Sequence, residues 1–153
     1  MDLFVVGVNH RTATLPIREK LYVSESHLPE FLQTLLFRGY LEEGVVLSTC
    51  NRFEVYGVAT LLGSPPIGLQ RFLSERSGFR LEDLEGCWYT FQKEETVRHL
   101  FRVASGLDSM ILGEAEIQGQ VRKAYESARL SGFTGTFLNR LFEKALNAAK
   151  AVR

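Results

Sequence analysis

Cysteine is scarce in this chain of 153 residues: there are two, Cys50 and Cys87, far apart and in no CxxC pair. That argues against a zinc site and against a thioredoxin-like redox pair, so no metal is expected. Charge of one sign is not in excess either. Lys plus Arg and Asp plus Glu balance at 18 each, so no global field draws the protein onto nucleic acid or an anionic membrane, and a polyanion must be held by a local patch. No apolar run is long enough to span a bilayer, and the start, Met1-Asp2-Leu3, lacks the basic residues of a signal peptide. A cytoplasmic location is therefore expected, which in turn disfavours a disulfide. The glycine fingerprint GxGxxG is also missing, so these residues are not expected to bind a dinucleotide.

What is present is an ordinary globular composition and enough length for one well-formed core. The stretch that stands out is Ser48-Thr49-Cys50-Asn51-Arg52. It follows an apolar run, Val45-Val46-Leu47, and precedes a second, alternating run, Phe53-Glu54-Val55-Tyr56-Gly57-Val58. With so few residues between them, the two runs must turn back on each other as an antiparallel pair, with Cys50, Asn51 and Arg52 at the tip. A cysteine at a strand end beside a guanidinium is placed like a nucleophile, because the thiolate is the reactive form and a nearby cation favours it. The competing reading is a small apolar filler at a strand end.

Taken in order, Leu3 to Asn9 reads as a strand, ending in a polar cluster, Asn9-His10-Arg11-Thr12, that is either a functional loop or a solvated turn. A helical turn is expected at Ile17 to Tyr22. Ser24 or Ser26 then offers a cap, and Pro29 fits the first turn of a helix with Leu28, Phe31, Leu32, Leu35 and Leu36 at helical spacing, stopped by Gly39. After the hairpin, Ser64-Pro65 opens a helix with Leu69, Phe72 and Leu73 inward, closed by Gly78. A strand follows around Cys87 to Phe91, where Cys87 beside Trp88 reads as core. The order β, α, β, β, α, β predicts an α+β fold, a ferredoxin-like βαββαβ sandwich, over 1–92.

From Lys93 the period becomes helical, so 93–153 is expected to be a helical part of the same domain. Val97, Leu100, Phe101 and Ala104 form one stripe; His99 falls away from its centre, either solvated or facing a cleft. A glycine-bounded connection, 106–114, leads into a helix with Ile117, Val121, Ala124, Tyr125 and Ala128 inward. There Glu116 and Gln120 share a polar edge, with Gly119 between them. The last helix starts near Thr136 and carries Leu138, Leu141, Phe142, Ala145, Ala149 and Val152. It reaches the final residue without a stop signal, as the start of a long linker helix would. Arg140, Lys144 and Lys150 along it either meet phosphates or form a solvated face.

A loop-borne, Arg-adjacent cysteine with a histidine on a separate helix suggests covalent acyl chemistry, in which a thiolate attacks an activated carbonyl to give a thioester. Asn51, Thr49 and tip amides suit a developing oxyanion, or Arg52 a substrate carboxylate. Three motifs then carry a resemblance: Gly7-Val8-Asn9-His10-Arg11-Thr12-Ala13; Ser48 to Tyr56; and Gly106-Leu107-Asp108-Ser109-Met110-Ile111-Leu112-Gly113-Glu114 followed by Gly119-Gln120-Val121. Together, in this order and spacing, they resemble the N-terminal catalytic domain of the glutamyl-tRNA reductases.

The resemblance implies that Cys50 attacks the ester of glutamyl-tRNA and holds the glutamyl group as a thioester, which NADPH reduces to glutamate-1-semialdehyde at the opening of tetrapyrrole synthesis. By the same likeness Thr49, Asn51 and Arg52 line the substrate site, Arg52 gripping the glutamate carboxylate with its planar fork. Ser109, Glu114, Ala115, Glu116 and Gln120 match a second substrate-binding stretch, which departs from the family pattern at Ala115-Glu116 and Gln118. His99 matches a histidine important for activity, as a proton donor or a positioning group. NADPH is expected on a Rossmann domain that this chain does not include, so the chain alone should form and hydrolyse the thioester without reducing it. Implied partners are glutamyl-tRNA, the aminomutase that takes the semialdehyde onward, and a second copy in a homodimer. The alternatives are a thiol hydrolase or acyltransferase without a reductive step, and a ferredoxin-like RNA-binding or regulatory module. The latter is opposed by the balanced charge and the lack of paired strand aromatics.

Overall fold

Four segments rich in β-branched and aromatic residues pair into one antiparallel sheet in the computed structural model, which describes residues 1–60, 67–113 and 115–152. They are β1 (Asp2–Asn9), β2 (Glu43–Ser48), β3 (Arg52–Ala59) and β4 (Tyr89–Gln92), in the order β2-β3-β1-β4. The central pair runs from Asp2 opposite Ala59 to Asn9 opposite Arg52, and the hairpin register ends at Ser48 opposite Phe53. This is the expected ferredoxin-like topology.

Helices α1 (Leu15–Leu21) and α2 (Leu28–Phe37) lie between β1 and β2, and α3 (Ile67–Arg76) between β3 and β4. The expected helical turn at Ile17 to Tyr22 is thus a full helix, with Pro16 in its first turn, that buries only Leu21. So little buried surface explains its weak pattern. The expected helix opening at Ser64-Pro65 lies outside the described residues. Cys87 sits just before β4, half-buried against the core.

The remaining helices, α4 (Glu94–Ala104), α5 (Glu116–Leu130) and α6 (Thr136–Val152), cover the opposite face of the sheet. Side chains alternate across a strand: Phe53 meets Phe31 of α2 on one face, whereas Tyr56 meets Phe142 of α6 on the other. Every residue of β3 is consequently buried, and one hydrophobic core draws on strands and both helical layers. On α4 the buried face is turned from the expected stripe: Thr96, His99, Leu100, Val103 and Ala104 are inside, while Val97 and Phe101 are half-exposed. Leu146 joins the buried face of α6, and Val152 is exposed. No helix among the described residues is long and apolar enough to cross a membrane.

The sheet and α6 are tied by a cap supplied from a distance. Glu43 at the start of β2 accepts hydrogen bonds on Oε1 from the amides of Gly135 (2.7 Å) and Leu138 (2.9 Å), at the N-terminus of α6. A side chain on Gly135 would meet that carboxylate at 3.1 Å. Helix N-termini leave amides without intrahelical partners, and a carboxylate satisfies both the amides and the helix dipole. Glu43→Ala should lower the unfolding free energy by about 1–2 kcal/mol, the usual cost of losing a helix cap. A urea titration would show this as a lower midpoint at constant slope. Replacing the exposed neighbour Glu42 by Ala should change stability by less than about 0.5 kcal/mol.

Candidate active site

The hairpin tip is closed by its own first residue. Thr49 donates its amide to the carbonyl of Arg52 (2.9 Å), and its hydroxyl accepts from the amides of Asn51 and Arg52 (3.1 Å each). A Thr side chain that turns back on the backbone two and three residues ahead fixes a tight turn without glycine. Cys50 is thereby held outward as an exposed free thiol. Its carbonyl accepts from Nη1 of Arg18 on α1, at 3.3 Å.

Arg52, the first residue of β3, points the other way. It is 2% exposed, and its Nη1 donates to Glu54 Oε2 and Asp108 Oδ2, both at 3.2 Å. Its Nη2 donates to the Asp108 carbonyl (2.6 Å) and to Oδ2 (3.2 Å). Burial works against the charge, yet the acidic neighbours hold the Arg52 pKa above its ordinary value. The planar fork expected to meet a substrate carboxylate is therefore engaged by the protein's own Asp108, which pins the 106–113 loop to the tip.

Glu54 is fully buried and saturated with donors. Tyr56 donates to Oε1 at 2.8 Å, and Arg52, Tyr89 and His99 converge on Oε2. Burial alone would raise its pKa. The charges of His99 and Arg52 and the hydrogen bonds from His99 and Tyr89 outweigh burial and bring it to about 2. Burial and the Glu54 charge push Tyr56 and Tyr89 well up, so both phenols stay protonated as donors. Gly7 makes room for this meeting, since a side chain there would come within 2.8 Å of Glu54 and 3.1 Å of the Tyr89 hydroxyl.

His99 is 9% exposed, bonded through Nε2 to Glu54 and packed among Tyr56, Tyr89 and Phe91. Of the two expectations for His99, solvated or facing a cleft, the solvated one is corrected: the ring lies on the buried face, against a carboxylate, and borders a cavity. The Asn9–Thr12 loop is likewise drawn in. Thr12 and Asn9 close it on themselves, and Arg11 reaches Asp108 at 3.3 Å. His10 lies one residue beyond the Asn9–Arg52 pair, its Nδ1 buried without a partner. Its pKa is lowered by burial and by the charges of Arg11, Arg52 and Arg18.

Of the residues singled out from sequence, Thr49, Cys50, Asn51, Arg52, Ser109, Glu116 and Gln120 line one narrow cleft of about 50 Å³. His99 opens instead on a separate cavity of about 520 Å³ with Arg11, Tyr89 and Asp108. Ala115 is exposed at the start of α5, and among the described residues nothing outside the helix's own backbone lies within 4 Å of where Gly119 would carry a Cβ. Glu114 lies outside the described residues. Among the described residues no group of three or more His, Cys, Asp or Glu is placed to hold a metal ion. Sequence reasoning gave no role to Glu54, Asp108, Tyr89 or Arg18. The one available signal was Arg52 and Glu54 two apart on a strand, hence on one face.

The family model described as the glutamyl-tRNAGlu reductase N-terminal domain matches residues 6–153. The chain belongs to the glutamyl-tRNA reductase family. It is 49% identical over 156 residues to the glutamyl-tRNA reductase of Desulforudis audaxviator, covering all of this chain and 34% of that protein. It is 44% identical to that of Carboxydothermus hydrogenoformans, again with all of this chain and 34% of the relative. The solved glutamyl-tRNA reductase of Methanopyrus kandleri superposes with a TM-score of 0.76 at 35% identity, over 99% of this chain and 34% of that one. The chain thus spans about a third of the length of the relatives it matches.

The network around Glu54 sets an acid limit on the fold. Glu54 binds its proton more weakly when folded than at the ordinary 4.5, so stability is fully present above that pH and falls as pH drops toward about 2. Glu54→Gln should cost about 3–5 kcal/mol at pH 7, the usual result of breaking a buried ion pair. It should also flatten the acid dependence between those two pH values, which denaturation at a series of pH values would read.

Proposed function

We propose that this chain is the acyl-transfer part of a glutamyl-tRNA reductase, in which Cys50 takes the glutamyl group from glutamyl-tRNA as a thioester. The observation that supports this most is the placing of one exposed thiol at a hydrogen-bonded tip, beside a narrow cleft lined by Asn51, Ser109, Glu116 and Gln120. The Cys50 sulfur forms a bond to the ester carbonyl carbon, the bond from that carbon to the tRNA 3′-oxygen breaks, and the thiol proton ends on the leaving oxygen. Amide groups of Asn51 and Gln120 are suited to the charge that develops on the carbonyl oxygen. Ser109 and Glu116 present a hydroxyl and a carboxylate to the polar parts of the glutamyl group. His99 acts as a positioning residue: bonded to Glu54, it steadies the Arg52 anchor rather than touching the thiol.

The described residues do not fit NADPH. Neither the β1-to-α1 nor the β4-to-α4 connection contains a glycine, whereas a dinucleotide needs a close backbone approach at such a turn. The chemistry these residues carry ends at the thioester and its hydrolysis. Reduction to the semialdehyde, dimer formation and transfer to an aminomutase would rest on the rest of a full-length cytoplasmic reductase, as the family likeness implies. An RNA-recognition module is disfavoured, because helices cover both faces of the sheet on which bases would stack.

Intact mass spectrometry after mixing with glutamyl-tRNA and quenching in acid tests this reading. A glutamyl adduct labile to hydroxylamine, absent from Cys50→Ser, is expected. An unmodified chain beside tRNA that is still charged would contradict it.

A further inference from the structure

Cys50 stands where two clefts meet, and only the narrow one has a use so far. The other lies beside α1, has a volume of about 390 Å³ and is lined by Leu15, Arg18, Glu19, Tyr22, Thr49 and Gln120 together with Cys50. When a thiolate attacks an ester at its carbonyl carbon, the acyl and alcohol groups must extend from the sulfur in different directions. We propose, resting on the thioester reading, that this wider cleft is the subsite for the alcohol side of the ester, the terminal nucleoside of the acylated RNA.

Size separates the two chambers. A cleft of about 50 Å³ suits a short acyl chain, whereas 390 Å³ falls in the range of small-molecule pockets. The lining suits a nucleoside as well. Tyr22 closes the C-terminal end of α1 and is 48% exposed, so its ring is available as a stacking face. Leu15 adds exposed apolar surface, and Glu19 is an exposed carboxylate suited to ribose hydroxyls. Arg18 binds the Cys50 carbonyl through Nη1, and its Nε is buried without a partner. The cleft also continues. A second cavity of about 190 Å³ shares Tyr22, Thr49 and Gln120 with it and reaches Lys123, a cation beside which a preceding phosphate would sit. Lys123 is paired with exposed Glu25, at 3.0 Å, and such a surface pair is easily exchanged.

The test compares Cys50 acylation of this chain by 3′-O-glutamyl-adenosine and by the α-ethyl ester of glutamate, followed by intact mass. The quantity read is the ratio of the two rates, so the intrinsic reactivities of the esters cancel between native and variant proteins. Tyr22→Ala should lower the ratio tenfold or more, and Tyr22→Phe should restore it, because the ring supplies the stacking. Adenosine 5′-monophosphate should slow acylation by the adenosyl ester in the native protein more than in Tyr22→Ala. Adducts from both donors with a ratio unchanged by Tyr22→Ala would overturn the subsite and leave the thioester reading intact. No adduct on Cys50 from either donor would overturn the thioester reading, and the subsite with it.

Discussion

A carboxylate buried to complete exclusion of solvent, Glu54, is the constraint to which the rest of this structure is fitted. Removing such a charge from water costs several kcal/mol unless the protein replaces the hydration with donors. Here four side chains do so, from three elements: Arg52 and Tyr56 on the same strand, Tyr89 on β4 and His99 on α4. Each brings its own segment to a fixed place. Arg52 in turn carries the constraint outward to Asp108, so the loop over 106–113 and the hairpin tip share one anchor.

This arrangement explains why the nucleophile candidate is exposed while its neighbour is buried. Thr49 sets the turn, Arg52 is drawn inward by two carboxylates, and Cys50 between them is left outward as an exposed thiol. The thiol is then presented by a short turn whose backbone is tied down on both sides, by Thr49 and by Arg52. The arginine here acts on the shape of the site, since both its terminal nitrogens are engaged by the protein. Gly7 belongs to the same design, because only a residue without a side chain allows Glu54 and Tyr89 to meet across β1.

Much of this was legible in the sequence. Strand and helix patterns predicted the ferredoxin-like order, the hairpin placed Cys50 at a tip, and the cleft residues from 49–52, 109, 116 and 120 do converge. The alternation in Phe53 to Val58 was harder to read. Alternating polar residues normally mark a solvated face, but here Glu54 and Tyr56 face a second helical layer and are polar toward each other. His99 shows the same limit: helical spacing locates a residue on a face, and only the sheet reveals the carboxylate opposite. Arg18 lies on a helix with too little buried surface to leave a strong pattern, and its contact with Cys50 spans 32 residues.

Whether Arg52 truly makes the tip and the 106–113 loop one unit is open to direct measurement by amide hydrogen exchange in native and Asp108→Ala protein. Exchange reports local opening segment by segment. If the anchor is shared, residues 48–53 and 106–113 should lose protection together, while the paired middles of β1 and β3 stay protected. Loss confined to 106–113, with the tip unchanged, would contradict the shared anchor at the centre of this site.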